Sequence, residues 1–136
     1  MPLDPGAQHV LDLIREAGRP PLETLTPAEA RAASAASRAV LQPDRAEVAQ
    51  MRDLTCAGPA GPIGLRLYRG LGTEAGTPLP CLVYLHGGGW VIGDLESHDQ
   101  LCRSLTNHLG ACVVAVFTRS SMLATALVTS HLMTPI

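Results

Sequence analysis

With 136 residues the chain can bury one sizeable core, and 46% apolar residues is an ordinary share for a globular protein. Tyr68, Tyr84, Trp90 and Phe117 are its aromatic residues, so packing must be mainly aliphatic. A net charge of −2 provides no general attraction to nucleic acid or to an anionic membrane, and no nucleic-acid partner is expected.

The chain starts Met1-Pro2-Leu3-Asp4, without the basic and apolar regions of a signal peptide, and no apolar run reaches spanning length. A cytoplasmic protein without a membrane span is therefore expected. Asp4 followed by Pro5 reads as the capped start of a first helix, carrying Val10, Leu11, Leu13 and Ile14, with Gly18 as its stop. Pro20-Pro21 breaks the chain. Thr26-Pro27-Ala28-Glu29 is a capping box, and the alanine-rich run to Leu41 predicts a second helix that leaves at Pro43.

Strands follow. Asp53–Cys56 alternates polar and apolar residues, Gly58–Pro62 is a turn, and Ile63, Leu65 and Leu67 alternate again, which predicts an antiparallel hairpin. Gly70–Pro80 is a loop. Cys81–Leu85 and Cys112–Val116 are apolar on both faces, as in strands covered on two sides. Between them Ser97-His98-Asp99-Gln100 offers a capping box, and Leu101, Leu105 and Leu109 mark a helix face that ends at Gly110. This strand–helix–strand order predicts a parallel pair. From Phe117 onward the chain has neither acidic residues nor glycine, and Met122–Met133 has the composition of a weakly amphipathic helix.

Cys56, Cys81, Cys102 and Cys112 show no zinc-like spacing and read as small buried residues in a reducing compartment. No metal and no cofactor is expected. The stretch with chemical content is His86-Gly87-Gly88-Gly89-Trp90, directly after an apolar strand. Backbone without Cβ takes positive φ and approaches a ligand closely, which leaves N–H groups to point at a developing negative charge.

Three stretches resemble the bacterial hormone-sensitive-lipase-like carboxylesterases and lipases, an α/β-hydrolase group. They are Leu82–Asp94 with its His-Gly-Gly-Gly-Trp string, Ser97–Arg103, and Val113–Val116. The front, including Thr26–Arg31, is similar to that family's N-terminal cap helices. The resemblance covers residues 2–116. It implies an α/β class: a partial α/β-hydrolase sheet (strands 1–4) with N-terminal cap helices. Residues 1–45 would be the cap helices, 46–116 the N-terminal half of the hydrolase domain, and 117–136 an unmatched tail. It implies an oxyanion hole made by the amides of Gly88 and Gly89. Gly87 would shape the loop, His86 would anchor it without acting as the base, and Trp90 would line or support the acyl pocket. The implied substrate is a small acyl ester.

The pattern breaks after Val116. Phe117-Thr118-Arg119-Ser120-Ser121 stands where the family has a stretch close to Asp-Tyr-Arg-Leu-Ala-Pro-Glu, and no Gly-x-Ser-x-Gly occurs. Ser34, Ser37, Ser97, Ser104, Ser120, Ser121 and Ser130 all lack the flanking glycines. The acid and base follow the nucleophile in the family's chain order, so no catalytic residue is assigned, and His131 is not taken as a base. The expectation is an inactive truncated or frameshifted ester hydrolase. The alternative is a non-catalytic acyl-binding module that self-associates through an open sheet edge. A third reading is an active esterase with an unrecognised nucleophile. The strand Cys81–Leu85 would be that open edge unless the tail or a second chain covered it.

Overall fold

The computed structural model describes residues 2–59 and 61–117, and the backbone of Ala126–Val128. Helix α1 (Pro5–Glu16) starts where expected: the Asp4 carboxylate accepts from the amides of Gly6 and Ala7. It buries none of its residues, and Val10, Leu11 and Ile14 stay exposed. Helix α2 (Pro27–Leu41) has the full capping box. Thr26 accepts from the Glu29 amide, and the Glu29 carboxylate accepts from the Thr26 amide.

Strands β1 (Gln50–Cys56) and β2 (Ile63–Arg69) form the antiparallel hairpin, with Gln50 facing Arg69 and Cys56 facing Ile63. Strands β3 (Cys81–Leu85) and β4 (Cys112–Val116) are parallel and joined by helix α3 (Asp99–Leu109). A short strand β5 (Ala126–Val128) runs antiparallel to β3, and the sheet order is β1-β2-β4-β3-β5. So a piece of the tail pairs with the strand expected to be an open edge. The segment Met122–Met133, read from composition as helical, is strand at Ala126–Val128; its other residues lie outside those described. No helix among the described residues is long and apolar enough to cross a membrane.

The core sits between the sheet and α3, where Tyr68, Leu82, Cys102, Val113 and Ala115 are buried and Tyr84, Leu95 and Leu105 pack against them. Two expectations for α3 fail. Leu101 and Leu109 are exposed, and the inward residues are Asp99, Cys102 and Thr106. Polar side chains can hold that face because each finds partners: the Thr106 hydroxyl donates to the Ala111 carbonyl at 2.6 Å, and Asp99 is paired as described below. Ser97 does not cap the helix either. The N-cap is His98, without a side-chain bond, and Ser97 instead closes a turn with Asp94. On the other face of the sheet Val83, Leu85, Val114 and Val116 are half-buried rather than sealed.

Candidate active site

The chain leaves β3 at Leu85 and turns at once. His86 is 3% exposed, and its Nδ1 lies 3.0 Å from the Gly87 carbonyl oxygen. Its ring stacks on that of His98, with 5.4 Å between centroids, and His98 in turn meets Tyr84. Burial lowers the His98 pKa, and the neighbouring His86 adds to the effect.

The turn itself is built at Gly88. Its carbonyl accepts from the amides of Val91 at 3.1 Å and Ile92 at 2.9 Å. It has φ 154°, and a Cβ there would stand 1.7 Å from the Ile92 carbonyl oxygen, so only glycine fits. Gly93 is the second such position: φ is 94°, and a Cβ would fall 2.8 Å from His86 Nδ1. Gly87 has open space around its α-carbon. Among the described residues nothing accepts a hydrogen bond from the amide of Gly88 or of Gly89. Gly88 is half-buried and Gly89 is exposed. Both amides belong to the turn that leaves the end of β3.

Trp90 follows with φ 61°, rare for a bulky residue, and it is 61% exposed. It borders a cavity of about 400 Å³ between the turn and α2, shared with Arg31, Arg38, Ile92, Asp94 and Phe117. The cavity lies on the α2 side of the turn, and Gly88 and Gly89 are not among its lining residues.

A set of hydrogen bonds and ion pairs between residues distant in the sequence pins the stretch after the turn. Arg31 Nε donates to the Val91 carbonyl at 2.9 Å, Arg38 pairs with Asp94, and Gln42 Nε2 donates to the Ser97 carbonyl at 2.8 Å. Asp99, 1% exposed, accepts from the Tyr68 hydroxyl at 2.8 Å and from Arg103 Nε at 2.7 Å, with Arg66 and Arg45 each at 3.5 Å. Arg66 also holds Asp53 through two bonds, at 2.6 and 3.0 Å, and Glu96 at 2.7 Å. Burial by itself would raise the Asp99 pKa, but the bonds from Tyr68 and Arg103 and the flanking arginines leave it lowered. Asp94 is lowered against its own burial by Ser97 and Arg38, and Asp53 is lowered by Arg66.

These directions give a two-stage acid response. The unfolded chain takes up a proton on His98 near pH 6.5, and the folded chain resists it, so stability falls modestly below that pH. The stability supplied by Asp53, Asp94 and Asp99 is complete above the ordinary carboxylate pKa and is lost as pH drops below about 4. Urea midpoints measured from pH 7 to pH 3 should show both stages, and His98→Gln should remove the shallow one alone. A flat profile down to pH 3 would contradict the pairing.

Among the described residues no cluster of His, Cys, Asp and Glu could hold a metal. Ser120, Ser121, Ser130 and His131 lie outside the described residues.

Comparison with known proteins agrees with the sheet. Residues 82–121 match a family described as alpha/beta hydrolase fold. The chain is 36% identical over 122 residues to an ethyl acetate hydrolase of Pseudomonas putida, covering 85% of this chain and 38% of that protein. It is 45% identical over 64 residues to the esterase LipI of Mycobacterium tuberculosis, covering 47% of this chain and 20% of that protein. An ester-hydrolase from the metagenome of Lake Arreo superposes with a TM-score of 0.80 at 42% identity, over 88% of this chain and 38% of that one. The chain thus spans less than two-fifths of the length of these relatives. Sheet order and relatives together place the chain among the α/β-hydrolase esterases, over part of those relatives' length.

Proposed function

We propose that this chain carries the oxyanion-hole part of a serine-type carboxylic-ester hydrolase, and that its 136 residues alone do not turn over esters. The observation that carries the reading is the pair of amides at Gly88 and Gly89, which have no acceptor among the described residues. They sit on the turn that leaves β3. When a nucleophile adds to an ester carbonyl, the oxygen becomes an oxyanion, and these two N–H groups donate to it. Each such donor is worth about 2.7–4 kcal/mol in the transition state. His86 fixes the start of the turn, Gly87 links it to the donors, and Trp90 borders the acyl side. The likeness to the Pseudomonas putida ethyl acetate hydrolase favours a small acyl ester.

The donors stabilise charge that exists only after attack, and no Gly-x-Ser-x-Gly in the sequence supplies the attacking serine. The chain by itself should leave p-nitrophenyl butyrate near background and take no fluorophosphonate label. Joined to the part of the Pseudomonas putida ethyl acetate hydrolase that lies beyond the aligned segment, it should hydrolyse the ester. Stoichiometric labelling of a serine in the chain alone, with turnover, would overturn the first half of the proposal. A folded chimera that takes the label but releases no product from any small acyl ester would overturn the second.

A further inference from the structure

The other chemically capable cluster lies at the far end of the same strand. Cys81 and Cys112 are the first residues of β3 and β4 and stand directly opposite each other in the parallel ladder. Their side chains share the sheet face turned away from α3, because Leu82 and Val113, the next residues, are the ones in its core. Neighbouring strands run about 4.7–4.9 Å apart, within the roughly 4.4–6.8 Å that separates the α-carbons of a disulfide.

The two thiols interact across the ladder, and that interaction favours the proton on Cys81 over Cys112. With help from the Arg69 charge it lowers the Cys112 thiol against the effect of burial. The same interaction, then burial, pushes the Cys81 thiol up. Cys112 is therefore the more acidic thiol of the pair. It is 6% exposed, whereas Cys81 is partly open to solvent. The remaining cysteines differ. Cys102 is sealed on the inward face of α3 with its thiol pushed up to about 12 by burial, and Cys56 is exposed on β1 without a thiol neighbour in its register.

We infer that Cys81 and Cys112 form a dithiol modification site, at which hydrogen peroxide closes a disulfide between the two parallel strands. The Cys112 thiolate attacks the peroxide: an S–O bond forms, the O–O bond breaks, and hydroxide leaves, so that the sulfur becomes a sulfenic acid. The Cys81 sulfur then attacks Cys112: the S–S bond forms, the S–O bond breaks, and the departing oxygen leaves as water with the Cys81 proton. One peroxide is reduced, two thiols are oxidised by two electrons in total, and an added thiol reductant reverses the step.

The test uses the full reduced chain and hydrogen peroxide, followed by alkylation of the remaining thiols and peptide mass mapping. A linked Cys81–Cys112 peptide, lighter by two hydrogens and restored by dithiothreitol, is expected. It should exceed any other cysteine pair by at least about 10-fold in the folded chain, because the fold sets the proximity, and lose that lead when oxidation is done in urea. Cys81→Ser should leave Cys112 as a sulfenic acid that dimedone traps. Recovery of both cysteines alkylated while Cys56 is oxidised would overturn the inference. So would oxidation of each to a separate sulfinic acid without the link, and either result is read on the unaltered chain, whatever the variant does.

Discussion

Gly88→Ala, placed in the ester-hydrolysing chimera, is expected to lower kcat by about 10²–10³ with KM nearly unchanged. The reason is local. The new methyl group would lie 1.7 Å from the Ile92 carbonyl oxygen, on a residue whose φ of 154° already disfavours any side chain. The turn would have to open, the bonds from Val91 and Ile92 to the Gly88 carbonyl would lengthen, and both amides would swing away from their line of fire. The ground-state ester makes little use of those amides, so the loss falls on the transition state. Steady-state kinetics on p-nitrophenyl butyrate checks this. A rise in KM at constant kcat would mean the turn serves substrate binding rather than charge stabilisation, and the thermal midpoint of the same variant shows whether the fold survived.

Asp99→Ala is expected to cost about 3–5 kcal/mol of folding stability, the usual penalty for removing one partner of a buried ion pair. The carboxylate is 1% exposed and accepts from Tyr68 and Arg103 at once. Its removal leaves the buried Tyr68 hydroxyl without its acceptor and the largely buried Arg103 guanidinium without its counter-charge, holding only the Ala46 carbonyl and the Met51 sulfur, while Arg66 keeps Asp53 and Glu96. Tyr68→Phe, which removes a single bond to a charged group, should cost less, about 1.5–3 kcal/mol. Urea unfolding at pH 7 measures both. A loss below about 1 kcal/mol for Asp99→Ala would show that water or an anion takes the place of the carboxylate.

How legible the molecule was depended on whether the signal was local. β3 and β4 fell on the expected residues because runs apolar on both faces need no distant information to be read as strands. The start of α2 was equally plain, since Thr26, Pro27 and Glu29 carry the capping chemistry within one turn. The inward face of α3 was misread because leucine spacing records hydrophobicity only. Asp99 turns inward because Tyr68 and Arg66 on β2, and Arg45 ahead of β1, wait for it, and nothing near Asp99 in the sequence announces them. The glycine run was found by its string, but the need for glycine at position 93, a few residues later, comes from the Gly87 carbonyl and the His86 ring folding back beneath it. The pairing of Cys81 with Cys112 depends on the register of two strands, which a one-dimensional pattern does not contain.

The contacts between α2 and the turn make the two a single lever. Arg31 holds the Val91 carbonyl and Arg38 holds Asp94, while Gln42, the residue just past the helix, holds the Ser97 carbonyl. The Val91 amide in turn donates to Gly88. Lifting the helix to widen the cavity beside Trp90 therefore pulls on the same peptide units that aim the Gly88 and Gly89 amides. On the proposed role of those amides, access and aim would draw on one free energy: a ligand that wedged the helix away would loosen the donors, and an anion that tightened the donors would clamp the helix down by the same amount.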